Sequence, residues 1–173
     1  MKRKLISVIA VSVLMSACSA VVVPKSRPHF IKLMKEGVGD GMFKSTTYSK
    51  TILQSFETAF ANIDDKLKGC VPGGYQTMTM RGSQITSSLS VVNRERIEKV
   101  SPTKAEITIQ QKHSSTILQS KGGFYLLAAD LHKIDERSIK IDFYTANHYK
   151  KIADAIEQWS KGSQKCHGIG GNP

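Results

Sequence analysis

The hydrophobic period of this chain changes twice, and that double switch limits the fold more than any single motif does. Between residues 49 and 68 apolar side chains recur at helical spacing, as Ile52, Phe56, Ala59, Phe60, Ile63 and Leu67, with Lys50, Gln54, Glu57, Asp64, Asp65 and Lys68 on the other side. Ser49 is the expected N-cap and Gly69 the stop. After Gly73 and Gly74 the period falls to two. Ala105, Ile107 and Ile109 alternate with Glu106, Thr108 and Gln110, and Ile139, Ile141 and Phe143 with Lys140, Asp142 and Tyr144, so each segment has one buried and one wet face. Gly82, the 101–104 stretch, Gly122 with Gly123, and 135–138 punctuate five expected strands over 75–80, 85–98, 103–112, 123–132 and 138–144. Helical spacing then returns with Tyr149, Ile152, Ala153, Ile156 and Trp159, opposite Lys150, Lys151, Asp154, Glu157 and Lys161. This second helix, capped by Thr145 or Asn147, should end at Gly162. The order predicts an α+β fold: an antiparallel sheet of about five strands, with an N-terminal and a C-terminal helix packed on one face.

The first residues set the expected compartment. Lys2, Arg3 and Lys4 precede an apolar run from Leu5 to Met15, then Ser16, Ala17 and Cys18, which has the charge, length and small residues of a secretory signal. A spanning helix needs about 20 apolar residues, roughly twice this run. Cys18 after Ser16 and Ala17, with Leu14 upstream, resembles the lipobox of bacterial lipoproteins, although Met15 stands where that class more often has leucine. The resemblance implies cleavage before Cys18, a diacylglycerol on its sulfur and acylation of the new amino group. Ser19, where aspartate would retain the protein at the inner membrane, implies the periplasmic face of the outer membrane. A conventional leader cut near Ala20 is the competing reading.

On this reading residues 1–17 are the signal peptide, 18–45 a lipidated N-terminus and flexible tether, 46–166 a single periplasmic domain and 167–173 a disordered tail. The tether rests on Pro24, Pro28, Gly37, Gly39 and Gly41 and the lack of a sustained period. Its short apolar patch, Phe30 to Met34, could form one helical turn or lie against the domain. The leader holds three of the 25 basic residues and none of the 14 acidic ones, which leaves a net +8 on the remainder. Such a surface attracts anionic partners. In the periplasm those are envelope proteins, lipopolysaccharide phosphates and peptidoglycan stems, and nucleic acid is excluded by compartment.

With Cys18 taken by lipid, Cys70 and Cys166 remain as an even pair in an oxidising compartment. Each lies just past an expected helix, so a disulfide would tie the helix exits together and favour one shared face of the sheet. Such a long closed loop contributes about 4 to 5 kcal/mol in the chain-entropy account. The pattern of a helix ending in cysteine (Phe56 to Cys70), a strand meander, and a helix with an alanine, isoleucine and tryptophan stripe before a last cysteine (Ile152 to Cys166) resembles small, functionally unassigned proteobacterial lipoproteins. That resemblance implies a fold and a location, and no activity.

No motif carries chemistry. Cys166 and His167 are adjacent, but His113, His132 and His148 are scattered and paired ligands at zinc spacing are missing. Haem attachment would need a second cysteine before His167, and thiol redox catalysis a Cys-x-x-Cys. There is no G-x-S-x-G elbow, and Ser87, Ser88 and Ser90 read as a solvated strand face. Glu95 with Glu98 and Asp135 with Glu136 sit among Arg94, Arg96, Lys99 and Arg137, as hairpin and edge charges do. Gly168, Gly170 and Gly171 lie at the chain end and cradle no phosphate. Met78 and Met80 are expected in the core rather than on copper, and Trp159 as a packing anchor. The expectation is therefore a non-enzymatic accessory, assembly or scaffolding lipoprotein with no cofactor or metal, binding an envelope protein or polymer. Its expected contact surface is Arg94, Arg96, Lys99 and Lys104 near the long hairpin. The alternative is a lipid or lipopolysaccharide binder with a hydrophobic groove on the sheet face away from the helices.

Overall fold

A computed structural model describes residues 22–38, 44–71, 73–114 and 119–167, excepting the side chains of residues 80 and 85–87. Cys18, the expected signal peptide and residues 168–173 of the expected tail lie outside them. Three helices, α1 (Arg27–Lys35), α2 (Phe56–Cys70) and α3 (Lys150–Ser160), accompany six strands. The strands are β1 (Ser45–Ile52), β2 (Gly74–Arg81), β3 (Gln84–Ser101), β4 (Lys104–His113), β5 (Phe124–Lys133) and β6 (Ile139–Ala146). They form one antiparallel sheet in the order β1-β6-β5-β4-β3-β2. The five-strand meander is present, and β1 adds a sixth strand by pairing with β6.

Two segments depart from expectation. Ser49 lies exposed in β1, its side chain on Asp142, and α2 starts seven residues later with Ser55 as N-cap, accepting from the Thr58 amide. Ile52 is buried as expected, but from a strand, because its spacing to Phe56 and Ala59 mimics a helical stripe across the turn. The span read as a flexible tether holds α1, capped by Ser26, with Phe30, Leu33 and Met34 buried.

Alternation does the rest of the work. Ala105, Ile107 and Ile109 of β4 and Ile139, Ile141 and Phe143 of β6 point toward α2 and α3 and are buried with Ile63, Leu67, Ala153, Ile156 and Trp159. Trp159 is the largest fully buried side chain, and its indole Nε1 donates to the Lys165 carbonyl at 2.7 Å. Gly162, at φ +95°, turns the chain out of α3. No side chain of Thr145 or Asn147 caps α3, which follows a 3-10 turn over Asn147–Tyr149. The sulfurs of Cys70 and Cys166 lie at bonding distance, with Cα atoms 5.1 Å apart. Among the described residues no helix is long and apolar enough to cross a membrane.

Met78 overturns its expected place in the core: it is 53% exposed. The reason is the pairing of β3. Its residues 91–101 pair with β4, whereas residues 84–90 pair, among the described residues, with β2 alone apart from two bonds between Ser90 and Ser114. Among the described residues the β2–β3 hairpin thus runs on beyond the sheet as a two-stranded ribbon, and Met78 lies in it.

Candidate functional site

The sheet face turned away from α2 and α3 is charged. The register sets Glu98 opposite Glu106, Glu106 opposite Asp130, and Asp130 opposite Asp142, a row of carboxylates crossing β3 to β6. Like charges placed directly opposite are destabilising, so this row requires cations beside it. On one side stand Lys104, His132 and Lys140, themselves in register. Lys104 meets Glu106 at 2.7 Å and Asp130 at 3.7 Å, Lys140 meets Asp142 at 2.8 Å, and His132 lies 3.6 Å from Asp142. On the other side are Arg96, paired with Glu98, and Arg27, delivered by α1.

Arg27 fastens α1 to the sheet. Its side chain is only 14% exposed, and its guanidinium reaches Asp130 at 2.8 Å, Glu106 at 3.2 Å, the Ala129 carbonyl at 2.8 Å and the Thr108 hydroxyl at 3.1 Å. A fork of donors that is always charged suits this mixed set of carboxylates and carbonyl. One and two turns further along, Phe30 stacks on Tyr125 with centroids 5.1 Å apart, and Phe30 and Met34 close over Ala128 and Tyr144. Tyr144, expected to be wet, is buried for that reason.

Beside Arg27 the face opens into a cleft of about 500 Å³ whose lining includes Arg94, Arg96, Glu98, Glu106, Gln110 and Tyr125. Burial pushes the Glu106 carboxyl up, but the Lys104 hydrogen bond and the charges of Arg27 and Lys104 outweigh it and hold it below its ordinary value. Asp142 behaves alike: burial raises it, and the hydrogen bonds from Lys140 and Ser49 bring it below. Burial raises the phenols of Tyr125 and Tyr144. The two acids are therefore ionised and the two phenols protonated at neutral pH. None of these four titrates near neutrality, where proton transfer is most effective. These side chains supply ion pairing and hydrogen bonding to whatever meets the face. Among the described residues no three of His, Cys, Asp and Glu converge to hold a metal.

The four expected contact residues do not form one surface. Arg94 and Arg96 line the cleft, and Lys104 stands in the adjoining cation row. Lys99 points to the opposite face, where its amine lies 4.9 Å from the Phe60 ring centre and pairs with Glu57 of α2. The odd and even positions of one strand cannot share a face. Arg27, the central residue of the site, was hidden in the span read as a tether. Its signal is Ser26 as an N-cap, Pro28 in the first turn, and Phe30 with Leu33 and Met34 at helical spacing.

No protein-family model matches the chain, and no curated protein matches it in sequence. Among solved structures it is similar to norcoclaurine synthase from Thalictrum flavum in complex with dopamine and hydroxybenzaldehyde, at 12% identity over 72% of this chain and 90% of that one, TM-score 0.29. A point mutant of the same synthase with a transition-state analogue gives 11% identity, 69% and 94% coverage and TM-score 0.28. The Zhui aromatase/cyclase from Streptomyces sp. R1128 gives 8% identity, 67% and 85% coverage and TM-score 0.26.

Proposed function

We propose that this chain is a non-enzymatic accessory lipoprotein, held by acyl chains on Cys18 at the periplasmic face of the outer membrane, whose charged cleft binds an envelope polymer or protein. The observation that carries the reading is the lining of the cleft. Arg27, Arg94 and Arg96 stand there with the carboxylates of Glu98 and Glu106. Among the described residues Arg94 has no ion-pair partner, so its guanidinium is available to a ligand. A lining with both signs fits a ligand carrying carboxylates and amines together, as peptidoglycan peptide stems do, better than a polyphosphate or an acyl chain. The lipid-groove alternative draws no support from a face this polar.

Sedimentation of the full lipoprotein with purified peptidoglycan sacculi tests this. Binding should fall at least fivefold in Arg94→Glu/Arg96→Glu and weaken as salt is raised, because the contacts are exposed charge pairs. Wild-type protein that stays in the supernatant, or a double variant that binds equally well, overturns the peptidoglycan reading. Metabolic labelling with a clickable fatty acid, lost in Cys18→Ala, tests the anchor separately.

A further inference from the structure

We propose that residues 94–100 of β3 form a dimerisation edge, on which a second copy of this chain pairs antiparallel about a twofold axis at Ile97. The inference goes beyond the cleft reading and uses neither its ligand nor the lipid anchor.

The edge is open. Pairing of β2 with β3 ends at Gly74 opposite Val92, and the Asn93 amide then donates to the Gly73 carbonyl. Further along, β4 pairs with one side of residues 94–100, and among the described residues no strand pairs with the other. The Asn93 N–H points away from β4, so strand alternation turns the N–H and C=O of Glu95, Ile97 and Lys99 the same way. Such an outward row of backbone donors and acceptors is a template for another strand. A β-bulge between Lys99 and Ser101 closes the stretch at its far end, which leaves Ile97 at the centre of the open window.

The order of charges in this window is complementary to itself: Arg94, Glu95, Arg96, Ile97, Glu98, Lys99, Val100. Antiparallel pairing about Ile97 sets Arg96 of one copy opposite Glu98 of the other, and Glu95 opposite Lys99. Opposite charges facing each other across strands are favourable, and symmetry makes each contact twice. Only residues whose N–H and C=O point outward exchange hydrogen bonds, so the axis has to pass through a residue. Moving it to Arg96 sets arginine against arginine, and moving it to Glu98 sets glutamate against glutamate. Charges on an edge ordinarily keep other strands away. Here their order penalises the neighbouring registers and favours one.

The side chains concerned are accessible. Arg96 is 71% exposed and Glu98 40%, and Val100 is 48% exposed. On the core side, Glu95 and Ile97 line a hollow of about 290 Å³ with Asp64, Leu67 and Lys68 of α2, which a second strand would border. On the α1 side, Arg96 and Glu98 line the cleft. Directly opposite residues of an antiparallel pair share a face, so Arg96 and Glu98 of the second copy stand on the cleft side as well. Each cleft is then edged by charged residues of both copies.

Sedimentation equilibrium of the full-length protein in density-matched nonionic detergent tests the pairing. The protein should dimerise in the micromolar range. Arg96→Glu and Glu98→Arg should each weaken the dimer at least fivefold, and Arg96→Glu/Glu98→Arg should restore it, because the exchanged charges again face their opposites across the axis. That rescue separates lost pairing from lost folding. Zero-length carbodiimide coupling reads the register. Glu95 and Lys99 of one chain lie four strand residues apart, about 13 Å, too far to join directly, so a peptide linking them in the cross-linked dimer comes from two copies. A protein still monomeric at about 100 μM, a dimer indifferent to Arg96→Glu, or a double variant no tighter than the single ones overturns the proposal. So does coupling in isolated envelopes that joins Lys99 only to a different protein. A monomer that sediments with sacculi overturns the pairing alone, whereas a dimer with the expected cross-link that stays in the supernatant supports the pairing and overturns only the peptidoglycan reading.

Discussion

The two faces of one sheet are built to different standards. Toward α2 and α3, β4 presents Ala105, Ile107 and Ile109 to a continuous apolar core closed by Trp159. Toward α1 the same strand presents Glu106, Thr108 and Gln110, and what covers it is a nine-residue helix held by Arg27 and a small cluster around Phe30. Burying apolar surface contributes roughly 25 cal/mol per Å², without directional demands. A partly buried charge network contributes little net stability, because desolvation offsets most of the attraction. The helix face therefore holds the fold, and the α1 face can be left charged and open as a site.

Substitutions at matched positions put numbers on that contrast. Trp159→Ala should cost about 3 to 5 kcal/mol in urea unfolding, since it empties the centre of the core. Phe30 is as deeply buried, yet Phe30→Ala should cost less than about 3 kcal/mol, because α1 can lift off while the sheet stays folded. Equal losses at the two positions would break the comparison. Arg27→Ala should lose about as much as Phe30→Ala, and the double variant little more than either, because all three forfeit the same docking of α1. Additive losses would mean that α1 cannot release on its own.

Acid should act on the α1 face first. Glu106 and Asp142 are held below their ordinary values of 4.5 and 3.8 in the folded chain, so on acidification the unfolded chain takes up protons sooner. The stability these carboxylates add is complete above those ordinary values and is lost as pH falls through the lower folded ones. Arg27→Gln removes one charge that depresses Glu106 and should shift the onset of acid unfolding to higher pH. The smallest effect is expected for Arg96→Ala, whose pair with Glu98 is exposed and should contribute less than about 1 kcal/mol.

The difference between the faces also explains what could be read from the sequence. Period-two alternation made the core faces of β4 and β6 legible, since Ile107 and Phe143 sit in the core as their spacing requires, while Tyr144 on the other face is buried by α1, which no alternation announces. Residues 45–52 were not legible as a strand: in β1 only Ile52 is fully buried, so there is no alternation to see, and its spacing to Phe56 imitates a helix. The carboxylate row depends on cross-strand register, which no local pattern encodes. Its members are 8 to 24 positions apart, and Glu98, Asp130 and Asp142 look like ordinary surface charges until the strands are paired. Met78 was misplaced for a related reason. Alternation of methionines signals a strand, and says nothing about whether a neighbouring strand extends far enough to cover it.

Hydrogen exchange read by mass spectrometry on the full-length protein tests the central claim, that docking of α1 builds the charged site on an independently stable sheet. Amides of residues 30–36 should be protected at neutral pH, and should open well before those of β4 and β6 in mild denaturant or in Arg27→Ala. Exchange of this segment at the rate of an unstructured peptide, or only together with the core strands, would contradict it.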